Sequence, residues 1–424
     1  MRSFTTRYLI LRISGIAVLL AVAAPPARAE EVRVSPKGSA GSPSSPDLAS
    51  AVTGAAPGTV IRLERGTYDL TPAPYVEYTC GNCEVESTRV EATVGLRVSG
   101  EGIRIQGPEG GDAVIRTHAG YGILFEDCMD CALSGITLTG GVRDTSENAT
   151  DAAVVVKRSR VTVENCRILE NIGDSTVVAK TVVGIMGIAG RDGSLLTARG
   201  NRITRNSWDG VALYRGASAI IEGNLIDGVD LARGSHVGGG RGVGIGATWD
   251  AAAKIRGNLV RRYWKGIGAF VDAQVVVEEN VVEHVATWGL TLWDAGRGRP
   301  SGFFSNNVVY DTGACGVSVI RERGDPPFPG RFVGNVLVKT GQDPRYDSGE
   351  PYCFQEPIAR HAVPDSFVIE QNLLYSNRTA GDRPAPGDVE ERVFRERLVT
   401  VRARHEKWPV LKESDFWKGF AGGR

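Results

Sequence analysis

Methionine and histidine are scarce, three and five in 424 residues, so the thioether and imidazole ligands that copper handling requires are largely missing. Charge of one sign is not in excess either. The 49 basic residues face 49 acidic ones, which leaves no basic field for a nucleic acid. Long apolar runs are lacking: the stretch from Ile13 to Ala24 reaches about 12 residues where a membrane span needs about 20. Apolar residues three and four apart are missing from the repeated middle of the chain, which excludes a helical repeat there.

What is present is one phrase used again and again. An Asn and an aliphatic pair precede, by eight or nine residues, a Gly that opens an alternating apolar run: GNRITRNSWDGVAL, GNLVRRYWKGIGAF, ENVVEHVATWGLTL and NNVVYDTGACGVSV. Gly210, Gly244, Gly266, Gly289 and Gly316 are separated by steps of 34, 22, 23 and 27, and the shorter steps match one turn of a β-solenoid. After each Gly the first and third residues are apolar, among them Val211 and Leu213, Ile267 and Ala269, Leu290 and Leu292. A period of two sends them to one face, which short strands bury only by stacking coil on coil about 4.8 Å apart. Asn201, Asn224, Asn258, Asn280, Asn307 and Asn335 then form an inward amide ladder.

These residues resemble the right-handed parallel β-helix proteins of the pectin lyase-like superfamily, over about Ile103 to Leu374. The stretch from Asp47 to Leu70, DLASAVTGAAPGTVIRLERGTYDL, resembles that superfamily's opening segment, a short helix covering the end of the solenoid before the first strand. Asp47 is a suitable N-cap, and Leu48, Ala51, Val52 and Ala55 share one helical face. The resemblance implies an all-β fold with a short N-terminal capping helix and an irregular, partly helical C-terminal cap. It leaves the chemistry open, because the superfamily hosts lyases, hydrolases, epimerases, adhesins and accessory proteins.

The expected organisation is a signal peptide over 1–29, a cap with the first coils over 30–99, the β-helix over 100–375 and a charged capping tail over 376–424. Arg2 and Arg7, the short apolar run and Ala27-Arg28-Ala29 read as an export signal cleaved after Ala29, placing the mature chain in a periplasm or outside the cell. A helix is expected near Val389 to Val401, with Trp408, Phe416 and Trp417 closing the far end of the core. A monomer without a membrane span is expected.

Seven cysteines in an exported chain admit two readings. Cys80 and Cys83, and Cys128 and Cys131, are C-x2-C pairs. They are local disulfides or structural thiols, or, if the 71–92 segment leaves the coil register, a four-thiolate zinc site.

Function is sought on the outside of the coils. The second residue after each Gly is small (Ala212, Gly246, Gly268, Thr291, Ser318), and the fourth is Tyr214, Thr248, Phe270, Trp293 or Ile320. This forms either an aromatic-walled trough for a sugar chain or a face on which a loop lies closely. Trp249, Trp264 and Trp288 add aromatics, and Arg215 a charge, for substrate binding. Asp250, Asp272 and Asp294 recur every 22 residues and read either as turn caps or as calcium ligands, Asp272 also as a catalytic carboxylate. Asp209 and Lys265 hold the same place, one residue before the coil's Gly, and are catalytic candidates. The Gly-rich insertion VDLARGSHVGGG adds His236, followed by Arg241. The leading expectation is a lyase, epimerase or hydrolase acting on an acidic polysaccharide. Alternatives are a non-catalytic glycan-binding or surface-structural solenoid, and a periplasmic accessory factor.

Overall fold

The computed structural model describes residues 30–36, 47–146, 148–173, 183–228, 242–322, 330–346, 355–363 and 367–420. Three sheets of 12, 11 and 11 strands run the length of a solenoid, and each coil contributes one strand to each. A representative coil has Lys265–Phe270 in sheet III, Gln274–Glu278 in sheet I and Val281–Val285 in sheet II. Coil pairing is parallel, and the repeat alignment is the observed register: Val211 faces Ile245, Ile245 faces Ile267, Ile267 faces Leu290 and Leu290 faces Val317. These side chains and the third-position residues Leu213, Ala247, Ala269, Leu292 and Val319 are wholly buried in one core.

The repeated Gly marks the tightest point of each coil. A Cβ on Gly266 would stand 2.3 Å from the carbonyl oxygen of Gly289 and 2.4 Å from Val282 Cγ1, and Gly210, Gly244 and Gly289 meet their next coil in the same way. Backbone and core thus meet there with no room for a methyl group. Gly266→Ala is expected to cost about 1–3 kcal/mol, seen as a lower Tm in thermal unfolding; an unchanged Tm would mean the coils can separate locally.

Between sheets I and II the asparagine ladder runs from Asn201 through Asn224, Asn258, Asn280, Asn307 and Asn335 to Asn372. Each Nδ2 donates to the next Oδ1 at 2.8 to 3.1 Å. Each Oδ1 also accepts the preceding Asn's backbone N–H, as Asn258 Oδ1 does from Asn224 at 2.9 Å. The residue before each Asn has positive φ, which explains the frequent Gly at that position (Gly200, Gly223, Gly257, Gly334).

The N-terminal end is covered as expected. Helix α1 (Leu48–Thr53) starts at Asp47, whose carboxylate accepts Ser50 N–H at 2.7 Å, and buries Leu48, Ala51 and Val52. The C-terminal helices do not close the far end, where Asp388 and Val389 bond the last coil at Asn377 and Leu374. Helix α2 (Glu391–His405), a 3-10 turn (Pro409–Glu413) and helix α3 (Asp415–Phe420) instead lie along the outer face of sheet II. Phe394 stacks on Tyr375 at 4.4 Å, Phe416 packs against Tyr310, Trp408 covers Gly257, and Glu413 reaches Arg202 at 2.8 Å. The cause is an outward apolar stripe, Leu225, Leu259, Val281, Val308, Val336 and Leu373, which needs cover along the side.

One further excursion matters. Strand Ala73–Glu77 pairs antiparallel with Val90–Glu101, so residues 78–89 leave the coil register as a loop over sheet III. The hairpin is tied down by Glu77, which accepts from Lys157 at 2.6 Å, from Tyr121 at 2.7 Å and from the fully buried Arg191. A buried charge of this kind is tolerable because its oxygens are fully engaged.

Candidate functional site

On the outer face of sheet III a cleft of about 420 Å³ lies over the coils from Trp208 to Trp293. It is lined by Trp208, Asp209, Tyr214, Trp249, Trp264, Lys265, Phe270 and Trp293, with Asn82, Glu84 and Arg297 on its rim. Strand register brings these together: Val243 pairs with Lys265, and Phe270 with Trp293. Elsewhere the face is covered, Ala212 under the N-terminal hairpin cluster, and Thr291 and Ser318 wholly buried. The small-residue column is therefore open at Gly246 and covered at Ala212, Thr291 and Ser318.

Lys265 is 5% exposed, and its ammonium nitrogen lies 4.2 Å from the ring centre of Trp264, 4.4 Å from Trp288, 4.9 Å from Trp293 and 5.3 Å from Phe270. Four electron-rich ring systems around one ammonium offset the loss of hydration, each worth up to about 2 kcal/mol when desolvated. Asp209 Oδ1 accepts the Val243 N–H at 2.6 Å, and Oδ2 accepts the Tyr214 hydroxyl at 3.4 Å. Burial pushes the Asp209 carboxyl up to about 7, even though the Val243 amide, the Tyr214 hydroxyl and the Lys265 charge favour the anion. Burial and the adjacent Asp209 carry the Tyr214 phenol well above its ordinary value. The arrangement can take up and release a proton near neutrality beside aromatic rings packed edge to face.

The rim is built on the turns after the sheet III strands. Trp249, Val271 and Ala295 line it with positive φ of 55°, 62° and 50°. For a β-branched residue such as Val271 this is strained backbone, of order 1–3 kcal/mol, of a kind that clusters at functional sites. Arg215 lies over the Trp249 ring at 4.5 Å and Arg297 at 5.6 Å.

The other expectations divide. Asp250, Asp272 and Asp294 do stand in successive turns, but as caps: Asp272 Oδ1 accepts Asp250 N–H at 2.9 Å, and Asp294 Oδ1 accepts Gly296 and Glu322 N–H at 2.9 and 3.0 Å. The Asp272 side-chain bond raises the Asp250 carboxyl. Asp272 Oδ1 and both Asp294 oxygens accept backbone N–H groups, as the turn-capping reading requires, and the three carboxylates do not form one group at metal-ligand separation; Asp272 follows the cleft-lining Val271. Among the described residues, Glu283, His284 and Asp415 group at metal-ligand separation instead, where Glu283 already accepts the Asp415 and Phe416 N–H groups that begin α3. The zinc reading is corrected. Cys80 and Cys83 form a disulfide with Cα atoms 5.4 Å apart, while Cys128 and Cys131 are buried in the coils. His236 and Arg241 lie outside the described residues, as do residues 1–29. Asn82, Glu84 and Arg297 were not expected in the site. The C-x2-C spacing around Asn82 was the available signal, since a four-residue ring fixes a loop tip.

Fold and cleft together define a solenoid with an acid-floored, aromatic-walled cleft on one outer face. The chain is a right-handed parallel β-helix: the family model for the right handed beta helix region matches residues 76–243. Among solved structures, a pectate lyase is 16% identical and aligns over 81% of this chain and 79% of its own, with a TM-score of 0.43. A Streptococcus pneumoniae surface adhesin is 10% identical over 74% of this chain and 77% of its own, with a TM-score of 0.42. The A-module of an Azotobacter vinelandii mannuronan C-5 epimerase is 13% identical over 78% and 91%, with a TM-score of 0.37. No curated protein matches the sequence. No described helix is long and apolar enough to cross a membrane.

Proposed function

We propose that this chain is an exported carbohydrate-active β-helix whose cleft takes up an acidic glycan and transfers a proton on it. Asp209 is the acid–base group, with Tyr214 at 3.4 Å as its relay. The Trp208 and Trp293 rings offer stacking faces for sugars, while Arg215 and Arg297, drawn over Trp249, place positive charge at the rim where a uronate carboxylate would lie. The observation that carries the reading is the buried Asp209 carboxyl at the floor of an aromatic-walled cleft, where burial favours its protonated form. Lyase and epimerase chemistry both begin with removal of a proton next to a carboxylate, and hydrolysis needs the same group as an acid.

Incubation with a panel of uronate polymers, with and without calcium, tests it. Unsaturated products absorbing in the near ultraviolet indicate elimination, new reducing ends without that absorbance hydrolysis, and altered sugar proton spectra without cleavage epimerisation. Neither product nor binding on any acidic glycan would overturn the reading. A second reading, binding without turnover, is favoured by Lys265: its ammonium is enclosed by rings rather than presented to the cleft. Affinity that depends on Trp293 or Tyr214, with no product, would select it.

A further inference from the structure

We propose that the Cys80–Cys83 disulfide is a redox-controlled clip that holds the mouth of the cleft in its binding shape. The proposal rests on the reading of the cleft as a glycan site and adds its regulation. Three consecutive residues of the loop each hold one member of a single stack. Asn82 Oδ1 accepts Trp249 Nε1–H at 3.2 Å, the Cys83 carbonyl accepts from Arg215, and Glu84 pairs with Arg297 at 3.0 Å. Arg215 and Arg297 in turn both lie over the Trp249 ring, at 4.5 and 5.6 Å. Trp249 sits in a turn at positive φ, and its ring bonds the loop through Asn82 while packing against the buried cluster beneath the hairpin.

The disulfide closes the four-residue ring that aims these three groups. Its inner sulfur is packed: Cys80 is 1% exposed, and the outer Cys83 is only partly buried. A dithiol can therefore attack the Cys83 sulfur. The sulfur–sulfur bond breaks, Cys80 leaves as a thiolate and takes a proton, and the reagent's second thiol displaces Cys83. Two protein thiols and one cyclic reagent disulfide result, a two-electron exchange. The loop tip then loses its covalent constraint, and the stack at the mouth loses its common support.

The test compares the oxidised full chain with the same protein reduced by dithiothreitol. Acrylamide quenching of the Trp249 contribution is read as the difference between wild type and Trp249→Phe. Reduction should increase that quenching. It should also weaken glycan binding about tenfold if the competent arrangement falls to about a tenth of the population. The Cys80→Ser/Cys83→Ser variant should show the reduced values with and without dithiol, and Glu84→Gln should weaken binding while the protein still responds to reduction. Unchanged Trp249 quenching on reduction of the folded protein would overturn the proposal. Because quenching is read without glycan, absence of glycan binding would sink the functional reading while the clip is still judged.

Discussion

Asp209→Asn removes turnover, with kcat expected to fall about 10²–10⁴-fold, the usual contribution of a positioned acid–base group. The amide keeps the size of the carboxyl and one acceptor for the Val243 N–H, so the cleft's shape and glycan affinity should change little. The pH dependence carries the sign. With its carboxyl near 7 in the folded chain and about 3.9 when unfolded, Asp209 binds a proton in the native state that the unfolded state releases. Stability from this residue is present below about pH 4 and declines as pH rises through about 7, so the variant should gain in Tm relative to wild type above neutrality. Turnover by the anion as base should rise with pH through about 7, whereas the opposite slope would assign Asp209 the acid's role. Full activity in the Asn variant would remove it from the chemistry.

Asn258→Ala should be the most damaging single substitution in the scaffold. Its Nδ2 donates to Ile221 O, Arg256 O and Asn280 Oδ1 at 2.9 to 3.1 Å, and its Oδ1 accepts both donors of Asn224. Alanine leaves the Asn224 N–H and one of its Nδ2 hydrogens facing a dry core, the other still bonded to Ala198 O, and at about 1–3 kcal/mol for each stranded donor a loss of about 4 kcal/mol follows. Coils interact with their nearest neighbours, so urea unfolding should also broaden or split at that coil. Lys254→Ala, on the exposed face of the adjacent strand, should move stability by less than about 0.5 kcal/mol. Equal effects for the two would show that the ladder is incidental to stability.

The coil register was legible because Gly and Asn recur at sites with no alternative occupant: a methyl group does not fit at Gly266, and the ladder position needs a donor and an acceptor together. Seven of the cleft's residues were legible for the same reason, since equal phase in the repeat became adjacency in space. The loop carrying Asn82 and Glu84 was not, because it leaves the register and its partners Trp249 and Arg297 stand far along the chain. The tail's course could have been read from one contrast. Coils bearing Arg167-Ile168 or Arg202-Ile203 put a charge outward, whereas Leu225-Ile226, Leu259-Val260 and Val281-Val282 put a second aliphatic there, which only makes sense under a cover. For the Asp column, equal spacing fixes where the carboxylates stand and not what they face, so turn capping and a cation site both stayed open until the bonds to backbone N–H groups were seen.

The belt formed by residues 391–420 has a consequence for biogenesis. A chain emerging N-terminus first can wind its coils in order as they appear, yet the greasy flank from Leu225 to Leu373 stays wet until the final thirty or so residues arrive and fold back over it. Maturation should therefore finish with a fold-back, from Tyr375 out to Arg202 and then again toward Tyr310 and Tyr375. A nascent or trimmed chain lacking Phe416 and Trp417 would be a sticky rod, the form most in need of a chaperone.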